Sequence, residues 1–136
     1  MNTNLSLRIE RIICKPHLEI KEEVLNFSFY EQSWKAFNIK IDKTTNTFTF
    51  RPFPRVKFQL KHLEIGNDYV VFDYLDGIYL GQGIWKIQDL GDNRTNVSYS
   101  ISIKGRNRII NTLYNSKFFI WKHKRDINSL INTLKN

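Results

Sequence analysis

The chain has 136 residues, 41% hydrophobic, 25% charged and 14% aromatic, with a formal net charge of +8. That length supplies one core and would starve two, and the balance of apolar and charged residues excludes disordered and fibrous classes. One cysteine, Cys14, excludes an intramolecular disulfide, and no apolar run approaches the roughly 20 residues of a membrane span.

The first residues, Met1 to Ser6, carry no basic and apolar leader pattern, so the cytoplasm is the expected compartment and residues 1–136 are expected to form a single domain. The positive charge would attract an anionic partner, although a solvated basic surface explains it as simply.

Leu5, Leu7 and Ile9, then Ile12 with Cys14, predict a first strand that ends at Lys15-Pro16, because proline cannot donate to a ladder. On this pattern Cys14 is expected to be a small core residue. Between His17 and Phe37 the spacing of Leu18, Ile20, Val24, Leu25, Phe27 and Phe29 predicts one or two short helices. Tyr30, Trp34 and Phe37 complete an aromatic cluster there, suited either to packing or to gating an apolar pocket.

The period then changes to two. Phe48 and Phe50, then Val56, Phe58 and Leu60, alternate with polar residues, and Tyr69 to Leu75 is a nearly continuous β-forming run. Gly66-Asn67-Asp68, Leu75-Asp76-Gly77 and Gly91-Asp92-Asn93 separate the runs and predict hairpin turns, so the strands are antiparallel neighbours. In the last hairpin Val97, Tyr99, Ile101 and Ile103 predict an inner face, shared by Trp85, Ile87, Tyr79, Gly81 and Gly83. Ser98, Ser100 and Ser102 predict a polar outer face. After Gly105 a helix of nearly thirty residues is expected, with Ile109, Leu113, Ile120, Ile127, Ile131 and Leu134 on one stripe, Ser116 near its centre and His123 near its edge.

The segment Asp76-Gly77, Gly81-Gln82-Gly83-Ile84-Trp85-Lys86-Ile87 and Gly91-Asp92-Asn93-Arg94-Thr95-Asn96-Val97-Ser98-Tyr99, followed by the long helix, resembles the late hairpin of the START-like (SRPBCC, helix-grip) superfamily. That superfamily includes polyketide cyclases, plant pathogenesis-related allergens and lipid-transfer domains. In place of the family's Val-Trp pair after the first proline, this chain has Ile20 and Val24. The resemblance implies an α+β fold, a curved antiparallel sheet wrapped around the C-terminal helix with short helices after the first strand, and a cavity between sheet and helix.

The expected role is to bind or transport a hydrophobic, lipid- or fatty-acid-like molecule, which the net charge would favour carrying an anionic headgroup. Phe58, Tyr79, Trp85, Tyr99, Ile120 and His123 are the expected lining, with the tyrosine hydroxyls and His123 orienting the ligand. A cyclase- or dehydrase-type enzyme moving a proton with Asp73 or His123 is the alternative, and a basic nucleic-acid binder the third reading. Nucleic acid is disfavoured because the outer face of the best strand is serine rather than aromatic and basic. Neither a cofactor nor a metal is expected: His17, His62 and His123 are scattered, Gly81-Gln82-Gly83 is not a dinucleotide loop, and no nucleophile motif is present. No catalytic residue is assigned, and the sequence leaves the oligomeric state open.

Overall fold

A computed structural model describes residues 5–53, 56–76, 79–105 and 117–135. Among these, seven strands form one antiparallel sheet, β1 (Leu5–Ile13), β2 (Lys40–Asp42), β3 (Thr47–Phe53), β4 (Val56–Ile65), β5 (Tyr69–Asp76), β6 (Tyr79–Gly91) and β7 (Arg94–Gly105). Their order is β1-β7-β6-β5-β4-β3-β2, a meander in which β1 alone pairs out of sequence. Helices α1 (His17–Leu25) and α2 (Phe27–Ser33) follow β1, and α3 (Lys117–Lys135) lies at the C-terminal end. The part of the long-helix expectation that falls on residues 106–116, Ile109, Leu113 and Ser116 included, lies outside the described residues.

Local chemistry sets the boundaries. Pro16 precedes α1 with φ −62° and ψ 142°, a backbone that cannot continue a strand ladder but launches a helix, and Ile20 and Val24, one turn apart, are the buried pair of α1. Asn26 splits α1 from α2. Its backbone N–H donates to the Glu23 carbonyl and its Oδ1 accepts from the Ser28 N–H at 3.1 Å, capping the second helix. The short strand β2, which the period-two reading did not anticipate, pairs Lys40 to Asp42 with Thr47 to Thr49. Asp42 Oδ1 holds its turn by accepting from the Thr44 N–H at 2.9 Å.

The β6–β7 hairpin matches its sequence pattern. Trp85 faces Tyr99, Ile87 faces Val97 and Gly83 faces Ile101 across the ladder, and all of these are buried. Asp92 and Asn93 take φ of 54° and 55°, the two left-handed positions of a type I′ turn, which suits the twist of the strands they join. Gly83 has a packing reason as well. A Cβ there would collide with the Tyr99 hydroxyl, so the glycine is what lets that ring lie across the strand.

Two expectations are corrected. Cys14 is exposed, not a core residue. Strand β1 pairs with β7 over nine consecutive residues without a bulge, so the inward parity of Leu7 and Ile9 continues to Ile13 and leaves Ile12 59% exposed. Ser98, expected on the outer face, is only 2% exposed. It sits on a central strand between Glu10 of β1 and Lys86 of β6, and longer neighbours shade a short side chain from water. Ser100 is half-buried and Ser102 exposed.

Gly83→Ala should therefore destabilise the fold by about 1–3 kcal/mol, because the Tyr99 ring must shift in a packed interior; urea unfolding followed by circular dichroism measures it, and an unchanged midpoint would remove the close approach. The Cys14 thiol should react stoichiometrically with a thiol reagent in the native protein, without denaturant.

Candidate functional site

The interior divides into a filled half and a seam. In the filled half, Trp85 is fully buried, its ring 4.7 Å from that of Tyr99 and 6.4 Å from that of Phe29. Its indole N–H donates to the Tyr30 hydroxyl at 3.1 Å, and that hydroxyl donates to the Val24 carbonyl at 2.7 Å. Tyr30 stacks on Phe48 with centroids 4.9 Å apart, and the Phe27 ring packs on Phe48 at a tilt, also at 4.9 Å. Phe27, Phe29 and Tyr30, candidates for gating, are thus interior packing residues.

The seam lies where α3 crosses the sheet. Ile127, Leu130, Ile131 and Leu134 are buried on its inner face, Ile120 is half-buried against the same core, and Trp121 points outward, 54% exposed. His123 joins the inner face at 8% exposed. Two side-chain bonds fasten the helix to the end of α2: Trp34 Nε1 donates to the Asp126 carbonyl at 3.0 Å, and Ser129 Oγ donates to the Ser33 carbonyl at 3.1 Å. One turn apart, Lys122 Nζ contacts both carboxylate oxygens of Asp126 at 2.8 and 3.0 Å and sits 4.4 Å from the centre of the Phe37 ring.

A closed cleft occupies this seam, walled by Trp34, Phe50, Tyr74 and Ile101 on one side and His123, Asp126 and Ile127 on the other. Its volume is about 20 Å³, the space of a single water molecule. Wider hollows, such as the groove of about 670 Å³ beside Trp121 and Arg125, are open surface depressions.

The polar tips of the cleft are held neutral. Burial pushes the Tyr74 hydroxyl up to about 12 and the Tyr30 and Tyr99 hydroxyls well above their usual range. The Tyr74 and Tyr99 hydroxyls share a hydrogen bond at 3.4 Å. His123 falls to about 4, first because burial disfavours imidazolium and second because Lys122 is adjacent. Burial raises the Asp126 carboxyl, with the Lys122 ammonium working against that rise. The cleft therefore offers neutral hydroxyl and imidazole hydrogen bonds, and its one acidic side chain, Asp126, is paired with Lys122.

Of the residues singled out from sequence, His123 borders the cleft and Tyr99 reaches it through the Tyr74 hydroxyl. Trp85 stands behind Tyr99 in the filled half, and Ile120 lies near the start of the described helix. The backbone register sets Phe58 opposite Phe50 and Tyr79 opposite Gly105, while the side chains of Phe58 and Tyr79 lie outside the described residues. Asp73 is half-buried, alternating with the inward Phe72 and Tyr74 and paired in register with Lys61 and Gln82, so it does not border the cleft. Sequence reasoning missed Tyr74 and Asp126 as site residues. The available signal was that Asp126 is the single acid between Gly105 and the end of the chain, four residues after a lysine. Among the described residues no group of three or more metal-ligating side chains occurs, and no helix is long and apolar enough to cross a membrane.

No protein-family model matches the sequence, and a search for relatives among curated proteins finds none. Solved structures do resemble it. A protein from Thermus thermophilus superposes with a TM-score of 0.77 at 14% identity, covering 96% of this chain and 94% of its own. An aromatase/cyclase from Streptomyces sp. R1128 gives 0.79 at 9% identity, covering 98% and 92%, and a START superfamily protein from Mycobacterium smegmatis gives 0.72 at 10%, covering 98% and 95%. At such identities the likeness is one of fold, and it extends over nearly the whole of each chain.

A buried neutral His123 has a consequence for acid stability. The unfolded imidazole takes a proton near 6.5 and the folded one only near 4, so its contribution is complete above pH 6.5 and is lost as pH falls toward 4. His62, also lowered by burial and stacked between Phe27 and Phe72, acts in the same direction, while Asp126, raised, gains stability on protonation and offsets part of the loss. Unfolding free energy should drop by about 2–3 kcal/mol from pH 7 to pH 4, and His123→Gln should flatten that slope. An unaltered slope in the variant would show that His123 titrates normally.

Proposed function

On this START-like, helix-grip fold, we propose that the chain binds a hydrophobic small molecule at the seam between sheet and C-terminal helix, as a carrier or sensor. The observation that carries the reading is the composition of the cleft. Phe50, Ile101, Ile127 and the Trp34 ring supply apolar walls, while Tyr74 and His123 add neutral polar tips at one place, the mixture that orients an apolar ligand by a single headgroup. A volume of about 20 Å³ admits one water, so a ligand enters by displacing α3 from the sheet, with the Trp34 to Asp126 bond as the latch that parts. The lining proposed for the opened state is Phe58, Tyr79, Tyr99, Ile120 and His123, with Trp85 behind Tyr99.

One observation favours a second reading. His123 and Asp126, three residues apart on α3, both border the cleft, and burial pushes both toward their neutral forms. A cyclase-type enzyme places such a pair beside a reactive chain to move protons, and one of the structural neighbours is described as an aromatase/cyclase. A bell-shaped pH profile of turnover, lost in both His123→Gln and Asp126→Asn, would establish that reading over the first.

Organic extraction of the purified protein followed by denaturing mass spectrometry tests the binding reading. A co-purified apolar compound at near-stoichiometric amount, absent from a mock purification, is the expected result. Tyr99→Phe should then weaken its retention about three- to tenfold, the effect of one buried hydrogen bond. An empty extract, together with no binding of added fatty acids, would overturn it.

A further inference from the structure

Strand β1 is one edge of the sheet: on one side it pairs with β7 along all nine residues, and among the described residues no strand pairs with the other side. Its inner residues Leu7 and Ile9 are covered, whereas Ser6, Arg8, Glu10 and Ile12 are exposed on its outer face. A long, regular edge without a bulge or proline is a template for another strand.

The sequence of β1 is self-complementary. Two identical antiparallel strands meeting about a two-fold axis pair residues of the same parity, because only alternate residues turn their backbone groups off the sheet. The Arg11 guanidinium donates to the Glu10 carbonyl at 2.8 Å, which marks the even-numbered residues as the outward set. An axis through Arg8 or Glu10 would oppose like charges. An axis through Ile9, the midpoint of Leu5–Ile13, sets Arg8 against Glu10 twice and Ser6 against Ile12 twice, and it keeps every residue of the strand in the pairing. The same two side chains already meet within one strand, Arg8 Nη2 lying 2.7 Å from Glu10 Oε2, at 59% and 48% exposure, so both are free to exchange that contact for an intermolecular one.

We propose that β1 is a homodimer interface, pairing antiparallel with β1 of a second copy about a two-fold axis at Ile9, with Arg8 of each copy facing Glu10 of the other. The pairing adds about eight backbone hydrogen bonds and joins the two sheets into one. Helix α3, packed against the inner side of β1, borders the new junction, and Arg11, bonded to Asn128 Oδ1 of that helix at 3.3 Å, falls opposite Leu7 of the second copy and yields the Glu10 carbonyl to the new ladder.

Sedimentation velocity of the full chain from about 1 to 100 µM should show a monomer–dimer equilibrium. Arg8→Glu and Glu10→Arg should each weaken association about tenfold or more, because each places two like-charge pairs at the junction, and the double exchange R8E/E10R should restore it. Independently of any variant, the amides of Arg8 and Glu10 should exchange hydrogen more slowly at high protein concentration than at low. A chain monomeric throughout, a dimer indifferent to both reversals, or a double variant that fails to recover would overturn the proposal.

Discussion

A buried indole N–H must find an acceptor inside the protein, since leaving it unbonded costs about 1–3 kcal/mol. The fully buried Trp85 meets this demand with the Tyr30 hydroxyl, which in turn donates a hydrogen bond to the Val24 carbonyl. That chain runs from the centre of the sheet through α2 to the last turn of α1, so both short helices are positioned by one side chain of β6. Around it the aromatic rings of Phe27, Phe29, Tyr30, Phe48 and Phe72 pack edge-to-face, stacked or tilted. The close approach of Tyr99 to Gly83 belongs to the same arrangement, because a larger residue on β6 would push that ring away from Trp85.

The other half of the interior, the seam, is held differently. At the seam the helix is held by a few polar bonds near its middle, at Asp126, Asn128 and Ser129, and by Ile127, Leu130, Ile131 and Leu134 on its inner face. Apolar contacts without directional bonds let surfaces slide and separate more readily than a hydrogen-bonded ladder does. The opening proposed above therefore falls at the helix–sheet seam, and the sheet with α1 and α2 stays packed around Trp85.

Much of this was legible in the sequence because a period of two is unambiguous where one face is buried. Val97, Tyr99 and Ile101 fixed the face of β7, and the Gly91-Asp92-Asn93 turn fixed its register to β6, so the Trp85–Tyr99 pair followed from counting. Counting failed where the apolar residue lay out of phase. Ile12 and Cys14 looked like the inner face of β1 because they are apolar, whereas the unbroken ladder with β7 turned Ile12 to solvent and Cys14 falls exposed just beyond the strand's end. Ser98 failed in the opposite sense, since shading by Glu10 and Lys86 is a property of the sheet that no single strand displays. Tyr74 was hidden in a run where Val70, Val71, Phe72 and Tyr74 are all buried, which erases alternation. The cleft itself, assembled from α2, β3, β5, β7 and α3, joins residues as far apart as Trp34 and Ile127 and has no local signature.

Stability alone does not account for the polar residues of the seam. Lys122, His123 and Asp126 lie within one turn of a helix whose other inward residues are aliphatic. Burying an ion pair recovers little of its desolvation cost, and apolar residues of similar volume at these positions would hold the helix at least as firmly. His123 adds a second cost, being held neutral far below its ordinary range. A polar group on each wall of a closed apolar cleft, Tyr74 from the sheet and His123 from the helix, breaks the rules by which the rest of this core is built, and such departures concentrate at functional sites. The fold alone is compatible with many activities, so those residues, and not the likeness to other structures, single out this seam.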